Sequence, residues 1–167
     1  MNEQEMVGRA QAALGRQGID ETVEAAAIFL PRGHFAGAFA GGFVGDELVG
    51  GGIGAAGGAL AGMKAADAVA PTPERCMVAV TAAKVYGFDT DRGDGGRVPT
   101  QAVFAVDRAA IEVKVHQRFN VRVLELIGGD GAAIELEGPR LPGFHAGAVI
   151  DALRGWRPPD LAASGDH

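Results

Sequence analysis

Met77-Val78-Ala79-Val80-Thr81, followed after one residue by Ala83-Lys84-Val85-Tyr86-Gly87-Phe88, decides the fold class. Apolar and polar residues alternate with a period of two, and β-branched and aromatic side chains dominate, so the stretch predicts two strands. The same pattern continues outward over residues 100–106, 111–115, 121–127 and 133–136. Asp107-Arg108 and Gly128-Gly129-Asp130-Gly131 read as hairpin turns, the second because glycine and aspartate tolerate the positive φ of tight turns. Beyond Pro142, the residues Phe144, Ala148, Val149 and Leu153 recur at helical spacing, and Gly155 marks the stop. The expectation is six or seven antiparallel strands closed by one amphipathic helix. This unit runs over residues 71–155, from the Pro71-Thr72-Pro73 linker, and a flexible tail follows at 156–167.

Two further pieces precede it. In residues 1–31, Val7, Ala10 and Leu14 form the apolar stripe of one short helix. A second helix is expected from Asp20 as cap, with Glu21 and Glu24 in its first turn, Val23, Ala27 and Leu30 as its stripe, and Pro31 as its end. In residues 32–70 glycine recurs every four positions, at Gly33, Gly37, Gly41 and Gly45 and again at Gly50, Gly54, Gly58 and Gly62. Residues four apart share a helix face, so each run would leave a groove without side chains into which another backbone can settle. The reading is a glycine-zipper helical hairpin. Each interior glycine costs a helix about 1 kcal/mol relative to alanine, so close packing must offset it, through the other arm, a second copy or a membrane. The arms at 35–45 and 48–63 fall short of the about 20 apolar residues of a spanning helix. Asp46 and Glu47 at the tip oppose deep insertion.

The 167 residues carry a formal charge of −6, one cysteine and one serine, Ser164 near the end. A disulfide scaffold is excluded, serine nucleophiles are disfavoured, and the acidic balance does not suit a nucleic-acid binder. Met1-Asn2-Glu3-Gln4-Glu5 lacks the basic start of a signal peptide, so a cytoplasmic chain, with membrane association left open, is expected. Lys114, His116 and Arg118 alternate along one strand and should share its outer face, with Val113 and Val115 turned inward and Arg122 extending the patch. Such a row could bind an anion. The spacing of Asp89, Asp91 and Asp94 departs from that of a calcium loop, and His34, His145, His167 and Cys76 form no ligand pattern, so neither metal nor cofactor is expected.

Val78-Ala79-Val80-Thr81 with Lys84-Val85-Tyr86-Gly87-Phe88, then Val121-Arg122-Val123-Leu124-Glu125-Leu126, Ile134-Glu135-Leu136-Glu137 and the closing helix together resemble the bacterial pleckstrin-homology-like (PH/GRAM-type) domains. The resemblance covers about half the chain and implies two near-orthogonal antiparallel sheets capped by a helix, making the whole chain α+β. It departs from phosphoinositide-binding members, because the loop Asp89-Thr90-Asp91-Arg92-Gly93-Asp94 is acidic where theirs is basic. The expected role is a non-enzymatic interaction module that binds a protein or an anionic surface and forms a homo-oligomer through the glycine hairpin, with no nucleic-acid partner. Alternatives are a peripheral membrane protein whose hairpin inserts, or a small-molecule or enzymatic site holding Tyr86, His116 and Arg118.

Overall fold

The computed structural model describes residues 1–32, 74–90, 102–128 and 133–156. Within these, helix α1 (Glu3–Arg16) precedes seven strands: β1 (Val23–Arg32), β2 (Cys76–Thr81), β3 (Lys84–Asp89), β4 (Ala102–Asp107), β5 (Ile111–Arg118), β6 (Val121–Gly128) and β7 (Ala133–Pro139). A single turn of 3-10 helix, Arg108–Ala110, links β4 to β5, and helix α2 (Ala146–Gly155) follows β7. All pairings are antiparallel, in the order β4-β3-β2-β1-β7-β6-β5. The glycines at 33, 37, 41, 45, 50, 54, 58 and 62, and the tail at 157–167, lie outside the described residues.

The second helix expected at residues 20–31 is instead β1, and the sheet therefore begins well before residue 71. Ala25, Ala26 and Ala27 favour a helix locally, but the segment is held extended by its pairing with β2 over residues 23–29 and with β7 over residues 30–32. Tertiary pairing overrides a propensity difference of a few tenths of a kcal/mol per residue. Small side chains are needed there because the strand is buried on both faces. A bulge at Glu24 switches which residues face which way. Val23 and Ala26 pack under α1, whereas Ala25, Ala27 and Phe29 enter the main core.

That main core lies between the two halves of the sheet. Val78, Val80, Val85 and Phe104 from one half meet Leu124, Leu126, Ile134 and Leu136 from the other, with Ala146, Val149 and Leu153 of α2 closing one side. A second, smaller core forms where α1 lays Met6, Ala10, Ala13 and Leu14 over Met77, Ala79, Tyr86 and Phe88. This explains why β2 is buried at every position rather than at every second one. The helix is capped at its N-terminus: Glu5 N–H donates to Asn2 Oδ1 at 2.8 Å and Asn2 N–H to Glu5 Oε2 at 3.0 Å, a capping box. Gln11 then bonds the Glu21 carbonyl and the Val23 amide, pinning α1 to the entry of β1.

Asp107-Arg108, expected to turn a hairpin, instead carries the chain from one edge of the sheet to the other, since β4 and β5 sit at opposite ends of the strand order. Turn residues specify that the chain bends; they do not specify which strand it pairs with next. Two glycines permit close approaches. A Cβ on Gly87 would collide with the Phe104 ring, its cross-strand partner, and one on Gly138 would meet Ala146 Cβ at 2.5 Å where α2 crosses β7. Gly87→Ala should therefore cost about 1–3 kcal/mol through overpacking, read as a lower urea midpoint with an unchanged slope.

Candidate functional site

The outer face of the second half of the sheet carries the row read from the sequence. Lys114, His116 and Arg118 are exposed on one face of β5, and Val113 and Val115 pack against the core on the other, as their alternation requires. The register then determines what each cation faces. Lys114 stands opposite Glu125, which stands opposite Glu135, which stands opposite Arg32. His116 Nε2 lies 3.8 Å from Glu125 Oε1, and Lys114 Nζ lies 3.8 Å from Glu112 Oε1. The expected basic row is thus a mixed-charge face, because neighbouring strands supply acids that no inspection of β5 alone reveals.

Arg122 does not extend it. It pairs with Gln117, which places it on the opposite face of the sheet, with Nη1 3.6 Å from the position a Cβ on Gly147 of α2 would take. His116, Glu125 and Glu135 bring three ligand-type atoms within 4.8 Å of one another, a combination of nitrogen and carboxylate oxygen that suits a divalent transition metal in chemistry. The oxygens are already shared with cations: Arg32 reaches Glu135 at 3.3 Å and Glu137 at 2.7 Å. Such exposed pairs contribute at most about 1 kcal/mol each, so this face behaves as a solvated charge lattice.

A more enclosed polar arrangement lies where β4 crosses to β5. Arg108, only 3% exposed, donates from Nη1 to Glu24 Oε2 at 2.9 Å and to the Thr81 carbonyl at 2.6 Å, and from Nη2 to the Ala152 carbonyl at 2.8 Å. Its guanidinium lies 5.2 Å from the Trp156 ring centroid, and the Trp156 indole N–H donates to the Ala82 carbonyl. Nε is buried without a partner. Arg108, Ile111, Val113, Leu153 and Trp156 line a cleft of about 160 Å³. Ligand pockets usually begin near 300 Å³, so the cleft admits no more than one small group.

Beside this knot, Glu21 accepts from Thr81 Oγ1 at 2.6 Å and from Tyr86 Oη at 3.0 Å. Burial first, and then the Glu21 carboxylate, push the Tyr86 hydroxyl far above its ordinary value near 10. Tyr86 therefore keeps its proton and acts as a donor, not as a base. The structure does not bring Tyr86, His116 and Arg118 together. Tyr86 lies in the core under α1, while the other two are on the outer face of β5. Among the described residues no helix is long and apolar enough to cross a membrane.

Two outcomes follow from the buried polar groups. Arg108→Met should destabilise by about 2–4 kcal/mol, since it orphans the Thr81 and Ala152 carbonyls at about 1–3 kcal/mol each. Glu24→Gln should cost no more than about 1 kcal/mol, because half of that side chain remains in water; chemical denaturation of both variants checks the contrast. For Tyr86, the unfolded chain releases a proton near pH 10 and the folded chain does not, so the native state binds more protons above that pH. Stability conferred by its hydroxyl is complete below about pH 10 and is lost as the pH rises further. Denaturation midpoints between pH 8 and 11.5 should fall less steeply for Tyr86→Phe than for the wild type.

With the fold and these clusters in view, comparison with known proteins leaves the chain without a match, either to a protein-family model or to a curated relative.

Proposed function

We propose that the protein is a non-enzymatic interaction and assembly module: a PH-like β domain whose β1–β2 connection carries a glycine-zipper arm that joins copies of the chain. The observation that carries this reading is the register between β1 and β2. Phe29 pairs with Cys76, so the two strand ends flanking residues 33–73 lie side by side at one rim of the sheet. An arm that leaves and returns at adjacent strands suits a helical hairpin, in which the glycine faces of the two halves can pack against each other. The strand order and the closing helix support the PH-like part, with the glycine repeat occupying the first inter-strand connection rather than preceding the domain.

The mixed-charge outer face argues for a protein partner over a purely anionic one at the Lys114 row, since Lys114 and His116 each have a glutamate in reach. Assembly multiplies whatever affinity a single domain has, by raising the local concentration of its copies. The glycine repeat is then the device and the β domain its cargo. Replacing Gly37, Gly41, Gly54 and Gly58 together by leucine fills the grooves. Light-scattering mass of the full chain should fall from a discrete oligomer to a monomer while the far-ultraviolet spectrum of the β domain persists. An unchanged mass, or a wild type that is already monomeric, refutes the assembly reading.

A further inference from the structure

The hairpin joining β5 to β6 has a tip that the fold itself does not explain. β5 ends at Arg118 and β6 begins at Val121, which pair with each other, so Phe119 and Asn120 make a two-residue turn. Phe119 has φ +44, in the left-handed region that glycine or asparagine enters freely and that strains a bulky aromatic residue. The residue is 95% exposed. The residue therefore strains the backbone and buries nothing in return, and such an outlier points to a use outside the fold.

The surroundings define that use. Arg140 N–H donates to the Asn120 carbonyl at 3.3 Å, and Arg140 Nη2 to Gln117 Oε1 at 3.1 Å, bringing the β7–α2 connection against the turn. The next residue, Leu141, is 63% exposed. Residues 117–122 and 139–141 contain three arginines, Arg118, Arg122 and Arg140, and no acid. None of these arginines forms an ion pair with another described residue, unlike Arg32, Lys84, Arg108 and Lys114. In a chain of net charge −6, a tip of uncompensated positive charge carrying a projecting aromatic and a leucine is a local exception.

We infer that this tip docks on a phospholipid bilayer bearing anionic headgroups, with Phe119 and Leu141 entering the interface and the exposed Arg118 and Arg140 meeting lipid phosphates. Aromatic side chains favour the bilayer–water boundary, and arginine recognises phosphate through its planar fork of donors. Charge complementarity favours lipid over a neutral apolar partner. The tip is remote from the glycine arm along the sheet: Arg32, at the start of that arm, pairs near the beginning of β7, and Val121 pairs with Pro139 at its end. The inference goes beyond the assembly reading and rests on different residues.

The test is co-sedimentation of the full chain with vesicles of phosphatidylcholine alone and with 30% phosphatidylglycerol. The wild type should pellet with the anionic vesicles and remain in solution with the neutral ones, and 0.5 M salt should release it. Phe119→Gly relieves the turn, so its thermal midpoint should match or exceed that of the wild type, while its partition falls about tenfold. Arg118→Gln with Arg140→Gln should lower partition by more than tenfold, about fivefold for each charge. Phe119→Trp should bind at least as well as the wild type. Wild type that stays in solution with anionic vesicles, equal pelleting with neutral ones, or full binding by Phe119→Gly overturns the inference. Binding that survives Phe119→Gly and disappears in the glycine-to-leucine variant assigns the membrane contact to the arm instead.

Discussion

Both hydrogen-bonding edges of β1 must be satisfied within ten residues, and they are satisfied by different halves of the molecule. Residues 23–29 pair with β2, and Leu30, Pro31 and Arg32 pair with β7. A strand that belongs to both halves folds the sheet onto itself, and the main core is the space this closure encloses. Where β1 has left β7, the Ile28 amide donates to the Phe144 carbonyl at 2.9 Å, so the gap between the halves is stitched by the chain leading into α2. Without that pairing Leu124, Leu126, Ile134 and Leu136 would have no facing layer, and a three-stranded remnant would expose its apolar side.

Arg108 reinforces the same closure from the other end. It ties Glu24 at the β1 bulge, the Thr81 carbonyl at the β2–β3 turn and the Ala152 carbonyl in α2, three elements far apart in the chain. A buried guanidinium is expensive to desolvate, and here two carbonyls and a half-exposed carboxylate compensate three of its five N–H donors. The arrangement is structural in kind, because its donors are spent on the protein. The adjoining cleft is correspondingly small. Exposed side chains gather instead at two separate surfaces, the outer face around His116 and the tip at Phe119.

Those surfaces differ in character. The face around Lys114 and His116 is a lattice of alternating charges, with Glu112, Glu125, Glu135 and Glu137 interleaved among the cations. Its pairs are exposed and weak, and they suit selection of a partner by pattern more than affinity. The Phe119 tip carries one sign of charge and an apolar point, at the far end of β7 from the arm. An assembly built through the glycine repeat would present several such tips at once, and many weak contacts to one surface would add up.

Alternation in residues 77–88, the glycine-aspartate turn at 128–131 and the spacing of the last helix are local features, and they were sufficient to read a mainly β fold with a C-terminal helical cap. The glycine period is equally plain in the chain, although its positions lie outside the described residues. What local pattern could not supply is pairing between distant segments. Ala25-Ala26-Ala27 reads as helix because a helix needs only its own neighbours, whereas strand β1 depends on partners about 50 residues away in β2 and about 105 away in β7. The same limit hid the glutamates facing Lys114 and His116, the turn of Arg122 to the opposite face, and the burial of Arg108 in what looked like an ordinary loop. Phe119 was visible as an aromatic between two strands, but its exposure and positive φ exist only once β5 and β6 are in register. The chain's periodicities determined its elements, and the tertiary structure decided which of their charges and apolar groups remain unpaired, because pairing is a property of facing strands.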